Sequence, residues 1–162
     1  MPTDEPRPLS PGEQRARHRR AARIAQQFGF VGRVEYRHVY SQTGGAQYGR
    51  GSSPGADLLT IYAEAFERDA DPDDFSLEGM IAHECGHQIL ARHARIAKRV
   101  AGISEASEEI LASLLCAMIC DADADRVTLC AKAAAELLDR GQSAESANRQ
   151  LQELWDLLEA LL

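Results

Sequence analysis

The chain lacks the sequence features of a membrane-spanning or exported protein. No apolar run among its 162 residues approaches the roughly 20 residues that cross a bilayer, and the first twenty residues contain no apolar signal core. The length and the 44% apolar content predict one soluble domain at residues 12–162, preceded by a loose, proline-rich leader at residues 1–11. We therefore expect a cytoplasmic protein with no membrane partner.

Cysteine is also scarce, and the spacing of the four cysteines argues against a disulfide framework and a structural zinc cluster. No C-x-x-C pair is present. Cys116 and Cys120 are one helical turn apart, which is not the geometry of a natural disulfide. We expect free thiols that mostly fill the core as small apolar residues, Cys85 among them.

Positive charge is in deficit. The formal net charge of -7 argues against nucleic acid as a partner. The local exception is the first predicted helix, which carries Arg15, Arg17, Arg19, Arg20 and Arg23. We interpret these arginines as a solvated helix face. The last predicted helix has an amphipathic leucine stripe that is expected to pack on the domain, so we predict a monomer or a weak homodimer.

The most informative feature that is present is the pentapeptide His83–His87, which spells H-E-x-x-H. In a helix, residues four apart lie on the same face, so His83 and His87 can direct both imidazoles at one metal ion. Glu84 then lies beside the open coordination position, where its carboxylate can take a proton from the attacking water. This pattern predicts a zinc-dependent hydrolase.

Periodicity and turn residues predict an α+β fold that is mainly helical. Helices are expected at residues 12–27, from Ser76 to about Ala101, from Ser104 or Ser107 to Gly141, and from Ser143 onward. Strands are expected at residues 31–40 and 58–63, separated by a mobile Gly- and Ser-rich loop at residues 41–57. The motif therefore lies on the second helix, and a long third helix follows it.

The segment FSLEGMIAHECGHQIL resembles the active-site helix of the zincin metallopeptidases. The order of strand, motif helix and acidic helix over residues 58–130 is similar to the minimal gluzincin core. The resemblance implies a zincin-like core with an antiparallel partner helix. It also implies that an edge strand, here residues 58–63, receives an extended peptide or protein substrate by β-augmentation.

The mechanism implied by this resemblance is metal-assisted hydrolysis of a peptide bond, with Zn2+ polarising the carbonyl and Glu84 as the general base. Related peptidases place a His, Tyr or Arg downstream to stabilise the oxyanion, but no His or Tyr follows His93 here. Arg126 downstream and Tyr48 or Tyr62 upstream are the candidates. The alternative function is a zincin-fold regulatory or protein-binding domain with restricted or no turnover.

A catalytic zinc site needs a third protein ligand, and three residues compete for that role. His93 completes a metzincin-like spacing, but Leu90 stands where that pattern has a helix-breaking glycine. Glu109 begins EILASLLC, which resembles the E-x-x-A-[ND]-x-F-A stretch of ImmA/IrrE-type proteins. Asp121 begins DADADR, which resembles the E-x-x-A-D signature of the HtpX-like peptidases.

Helix length favours Asp121 among these three. If the motif helix runs some fifteen residues past the histidines, an antiparallel helix returns to the metal near residues 118–121 by a roughly equal-length estimate. Asp121 also falls on the apolar helical face formed by Ile110, Leu114 and Met118.

The predicted metal ligands are therefore His83, His87 and Asp121, with Asp125 orienting a ligand histidine. A motif helix that bends or ends soon after His87 would reverse this choice in favour of Glu109, because the return to the metal would then be shorter.

Overall fold

The computed structural model describes residues 5–41, 44–67, 76–120, 141 and 143–162. In these ranges six helices and a three-stranded mixed sheet make the fold α+β, as the sequence predicts. The chain divides into two compact units, Met1–Cys85 and Gly86–Leu162. No helix in the described ranges is long and apolar enough to cross a membrane.

The first unit begins with helix α1, Pro11–Gln27, which confirms the helix predicted at residues 12–27. Ser10 caps it in a capping box: the Ser10 hydroxyl accepts the Glu13 N–H, and the Glu13 carboxylate accepts the Ser10 N–H. Pro11 suits the first turn because its missing N–H has no partner to lose there. The helix buries Ala21, Ile24 and Ala25.

The sheet of the first unit has strands β1 (Arg33–Arg37), β2 (Ala46–Gly49) and β3 (Leu58–Tyr62) in the order β1-β3-β2. Strand β1 pairs with β3 in parallel, and β2 pairs with it antiparallel. Because β3 is paired on both sides, the prediction that residues 58–63 form an edge strand is wrong. The three middle residues of β3 are all buried, which is typical of a central strand.

The loop predicted at residues 41–57 is wrong in its middle, where β2 lies. Its glycines serve close packing: a Cβ atom at Gly45 would lie 2.9 Å from the Ala65 Cα, and one at Gly51 would lie 2.3 Å from the Ala56 carbonyl oxygen. A short 3-10 turn, Pro54–Ala56, then leads into β3. Helix α2, Ala63–Glu67, follows β3 directly and was not predicted.

The motif helix, α3, spans Leu77–Arg92. Ser76 caps it, as predicted, by accepting the Gly79 N–H at 3.0 Å. The helix ends at Arg92 because His93 adopts extended backbone angles and its Nδ1 accepts the Ile96 N–H, which starts helix α4, Ala94–Arg99. The prediction of a helix unbroken to about Ala101 is therefore wrong.

Helix α5 spans Glu105–Ile119, and Ser104 caps it by accepting the Ser107 N–H. Its last residue is followed by Cys120, whose backbone is extended (φ -89, ψ 121), so the prediction of a helix unbroken to Gly141 is also wrong. Asp121, Asp125, Arg126 and Cys130 all lie outside the described residues.

The second unit is completed by helix α6, Ala144–Leu161, capped by Ser143 as predicted. Its apolar stripe packs in the core of this unit, which confirms that expectation. The core contains Leu90, Ile96, Ile110, Leu111, Ala112, Leu114, Leu115, Ala147 and Leu158. Trp155 and Leu154 pack against its margin.

Candidate metal centre

Two imidazoles and one carboxylate come together around helix α3. His83 and His87 are one turn apart on this helix. The Nε2 atom of His87 lies 3.1 Å from Oε1 of Glu109 on α5. One ligand atom from each of His83, His87 and Glu109 falls within 4.8 Å of the others. Atoms this close together could share one metal ion.

The close approach of α5 to α3 depends on Gly86. A Cβ atom at this position would lie 2.6 Å from the Ala112 carbonyl oxygen, closer than real Cβ atoms approach. Ala112 follows Glu109 by one helical turn, so the small residue on each helix brings the carboxylate toward His87. The glycine within the H-E-x-x-H motif is therefore a packing residue for the second unit.

The His87 ring is oriented from its other nitrogen. Its Nδ1 lies 3.3 Å from Oε1 of Glu108, and the side chain is only 12% exposed. An Nδ1–H that donates to Glu108 leaves Nε2 as the atom available for a metal. The sequence predicts this orienting role for Asp125, which lies outside the described residues. The contact of Glu108 was not predicted, although two adjacent glutamates one turn before Ala112 were visible as a signal.

Glu84 makes a separate contact within the first unit. Its Oε2 accepts a hydrogen bond from the Tyr48 backbone N–H at 2.9 Å. The Tyr48 hydroxyl, one of the candidate oxyanion stabilisers, donates its hydrogen bond to Oδ2 of Asp57 at 2.8 Å. The Tyr62 hydroxyl lies 3.4 Å from Oε1 of Gln47.

His93 is engaged outside this cluster as the cap of α4, where its Nδ1 accepts the Ile96 N–H at 3.4 Å. The metzincin-like spacing is therefore accounted for by a local backbone role. Leu90, at the position where that pattern has a glycine, is 4% exposed and belongs to the core of the second unit.

The described cysteines, Cys85, Cys116 and Cys120, are free and buried, as predicted. Burial, with a smaller contribution from the neighbouring negative charge of Glu84, raises the pKa of the Cys85 thiol to about 12. Cys85 is therefore a neutral packing residue at physiological pH, although it lies between the two histidines in sequence.

Comparison with known proteins adds no relative: no family model, no curated protein and no solved structure matches the chain. The chemistry that this centre can support is therefore judged from its own donor atoms. Two imidazoles and a carboxylate form a donor set that zinc takes in hydrolytic sites, and these three residues fit such an ion.

Proposed function

We propose that the protein is a zinc metallopeptidase that hydrolyses peptide bonds. The observation that carries this proposal is the 3.1 Å approach of Glu109 Oε1 to His87 Nε2, beside a second histidine one turn away. A structural ion pair would need only one histidine. A set of three donors with a glutamate next to the first histidine supports a hydrolytic site instead.

In this proposal His83, His87 and Glu109 hold the ion, and Glu109 replaces Asp121 as the favoured third ligand. The reason is the early end of α3 at Arg92, five residues after His87. The argument for Asp121 assumed a motif helix that runs about fifteen residues past the histidines, whereas α3 ends at Arg92. Asp121 lies outside the described residues and is kept as the competing ligand in the experiment below.

The chemistry assigns one proton path to the chain's own residues. A bound Zn2+ supplies a Lewis acid for the scissile carbonyl and makes water a better nucleophile. Glu84 accepts a proton from the attacking water as the new carbon–oxygen bond forms. It then delivers that proton to the departing amine as the carbon–nitrogen bond breaks. The products are a carboxylic acid and an amine, and Glu84 returns to its ionised state. The acid then passes its remaining proton to the amine, which gives a carboxylate and an ammonium group.

The first test is the zinc content of protein purified without an affinity-tag metal, measured by elemental mass spectrometry. We expect one zinc per chain in the wild type and in Asp121→Ala, and loss of zinc in His87→Ala and Glu109→Ala. The matched controls are His93→Ala and Glu105→Ala, which remove a histidine and a glutamate from outside the cluster. A wild type that binds no zinc, even after zinc is added back, overturns the proposal.

Turnover is tested separately with a peptide library and the Glu84→Gln variant. This variant is expected to keep its zinc and to lose hydrolysis, because the amide cannot accept the water proton. Zinc binding without hydrolysis of any peptide by the wild type would instead support the alternative, a zincin-fold regulatory or protein-binding domain with restricted or no turnover.

A further inference from the structure

We propose that Asp57 is a positioning residue that fixes the Glu84 carboxylate through the backbone of Tyr48. The inference rests on the proposed function, because it concerns the residue assigned there as general base. All of the contacts that carry it lie within the first unit. The residues that make these contacts are not members of the metal cluster itself, which consists of His83, His87 and Glu109.

Asp57 is a carboxylate with no exposed surface. Burying such a group is costly unless hydrogen bonds compensate it, and Asp57 receives two that bracket the end of β2. The Tyr48 hydroxyl donates to Oδ2 at 2.8 Å, and the Gly51 N–H donates to Oδ1 at 2.7 Å. The Asp57 carbonyl accepts the Arg33 N–H at 2.9 Å, which anchors its backbone to β1.

The register of β2 explains why Tyr48 can reach Glu84. The Gly45 carbonyl accepts the Tyr62 N–H, so alternate residues from Gly45 onward turn their backbone groups toward β3. Tyr48 lies between two of these residues, so its N–H points away from β3. That N–H donates to Glu84 Oε2 at 2.9 Å. The side chain of Tyr48 thus points to Asp57 while its backbone holds Glu84.

This contact holds one oxygen of the carboxylate to which the proton transfer is assigned. A glutamate side chain has three rotatable bonds, and a general base must keep its oxygen within hydrogen-bond reach of the proton it takes. Fixing one oxygen with a charge-assisted bond removes part of that freedom before substrate arrives. Asp57 supplies the rigidity, because it holds Tyr48 and Gly51 on either side of the turn out of β2.

The test is hydrogen exchange of the Tyr48 amide, followed by NMR in zinc-free and zinc-loaded protein. Glu84→Gln sets the reference, since it weakens the acceptor directly. In Asp57→Asn and Tyr48→Phe we expect this amide to exchange roughly 10- to 100-fold faster, the range that corresponds to losing a charge-assisted hydrogen bond. The matched control is Tyr40→Phe, which removes a tyrosine–carboxylate bond of similar length, 2.7 Å to Glu67.

Two results would overturn the proposal: an unchanged Tyr48 amide in folded Tyr48→Phe, or an equal change in Tyr40→Phe. Should Asp57→Asn fail to fold, Tyr48→Phe alone decides, because it leaves the Asp57 carboxylate in place. Zinc content should stay at the wild-type value in Tyr48→Phe, and with an identified substrate kcat should fall while KM is kept. Absence of zinc in the wild type would overturn the proposed function, whereas the amide measurement in zinc-free protein would still decide the role of Asp57.

Discussion

Gly86 packs so closely on Ala112 that a Cβ atom added to it would lie 2.6 Å from the Ala112 carbonyl oxygen. The two helix backbones are therefore in direct contact at these residues. Gly86 is next to His87 in the sequence, and Ala112 follows Glu109 by one helical turn. The packing of Gly86 on Ala112 and the approach of Glu109 to His87 are therefore parts of one arrangement in the second unit. A change in the first is expected to alter the second.

Gly86→Ala is expected to destabilise the protein, although alanine favours helix more than glycine does by about 1 kcal/mol. The clash with Ala112 forces α5 to shift, and overpacking of this kind costs about 1–3 kcal/mol. Urea unfolding should show this loss, and zinc affinity should fall with it. Gly55→Ala is the control, because a Cβ there meets nothing within 4 Å. Increased stability in Gly86→Ala would contradict the close approach.

Glu108→Gln is expected to weaken zinc binding by about 10- to 100-fold, the usual effect of losing a partner that orients a ligand histidine. The amide is a poorer acceptor for the His87 Nδ1–H, which lies 3.3 Å away in the wild type. A competition titration with a chromogenic chelator measures the affinity. Glu105→Gln, in the first turn of the same helix, should leave it unchanged.

His93→Ala should lower the free energy of unfolding by about 0.5–1 kcal/mol while zinc stays at one per chain. The variant loses the hydrogen bond that caps α4. We expect a small effect for a cap, because this hydrogen bond is long, 3.4 Å. His93→Asn should recover the stability, since asparagine is a good N-cap. Loss of zinc from both variants would instead make His93 a ligand.

The thiols of Cys85, Cys116 and Cys120 should not react with a disulfide reagent in the folded protein. Burial raises the Cys85 pKa to about 12, so raising the pH from 7 to 9 leaves that thiol neutral and unreactive. The measurement uses the Cys130→Ser variant, because Cys130 lies outside the described residues. Three thiols should react after denaturation, and fast reaction before it would contradict their burial.

Local signals in the sequence predicted several elements correctly. Ser76 and Ser143 were predicted as helix starts, and Ser104 was one of two serines predicted for the helix between them. Such caps can be predicted because a hydroxyl that accepts a backbone N–H is a short-range interaction. The strand at Leu58–Tyr62 was found from its run of apolar and β-branched residues. These features depend on neighbours within a few positions.

Other features depended on contacts between distant residues and were missed. Strand β2 lies in a Gly- and Ser-rich segment whose composition predicts a loop, because neither its pairing with β3 nor the close approach of Gly45 to Ala65 is visible in that composition. The end of α3 was missed since His93, an unusual cap, carries no strong helix-stop signal. The expected length of α3 was the reason for preferring Asp121 to Glu109 as the third ligand, and both ligand assignments stay predictions.

The sequence by itself determined the spacing of His83 and His87 and the place of Glu84 beside them, because a helix fixes which residues share a face. Their roles in binding metal and in catalysis stay predictions. Only the tertiary structure decided which carboxylate approaches His87 and what holds Glu84. The first contact joins residues 22 positions apart in the sequence, and the second joins residues 36 positions apart. They are brought together by where helices end and by the close packing of small residues, which no local sequence pattern encodes.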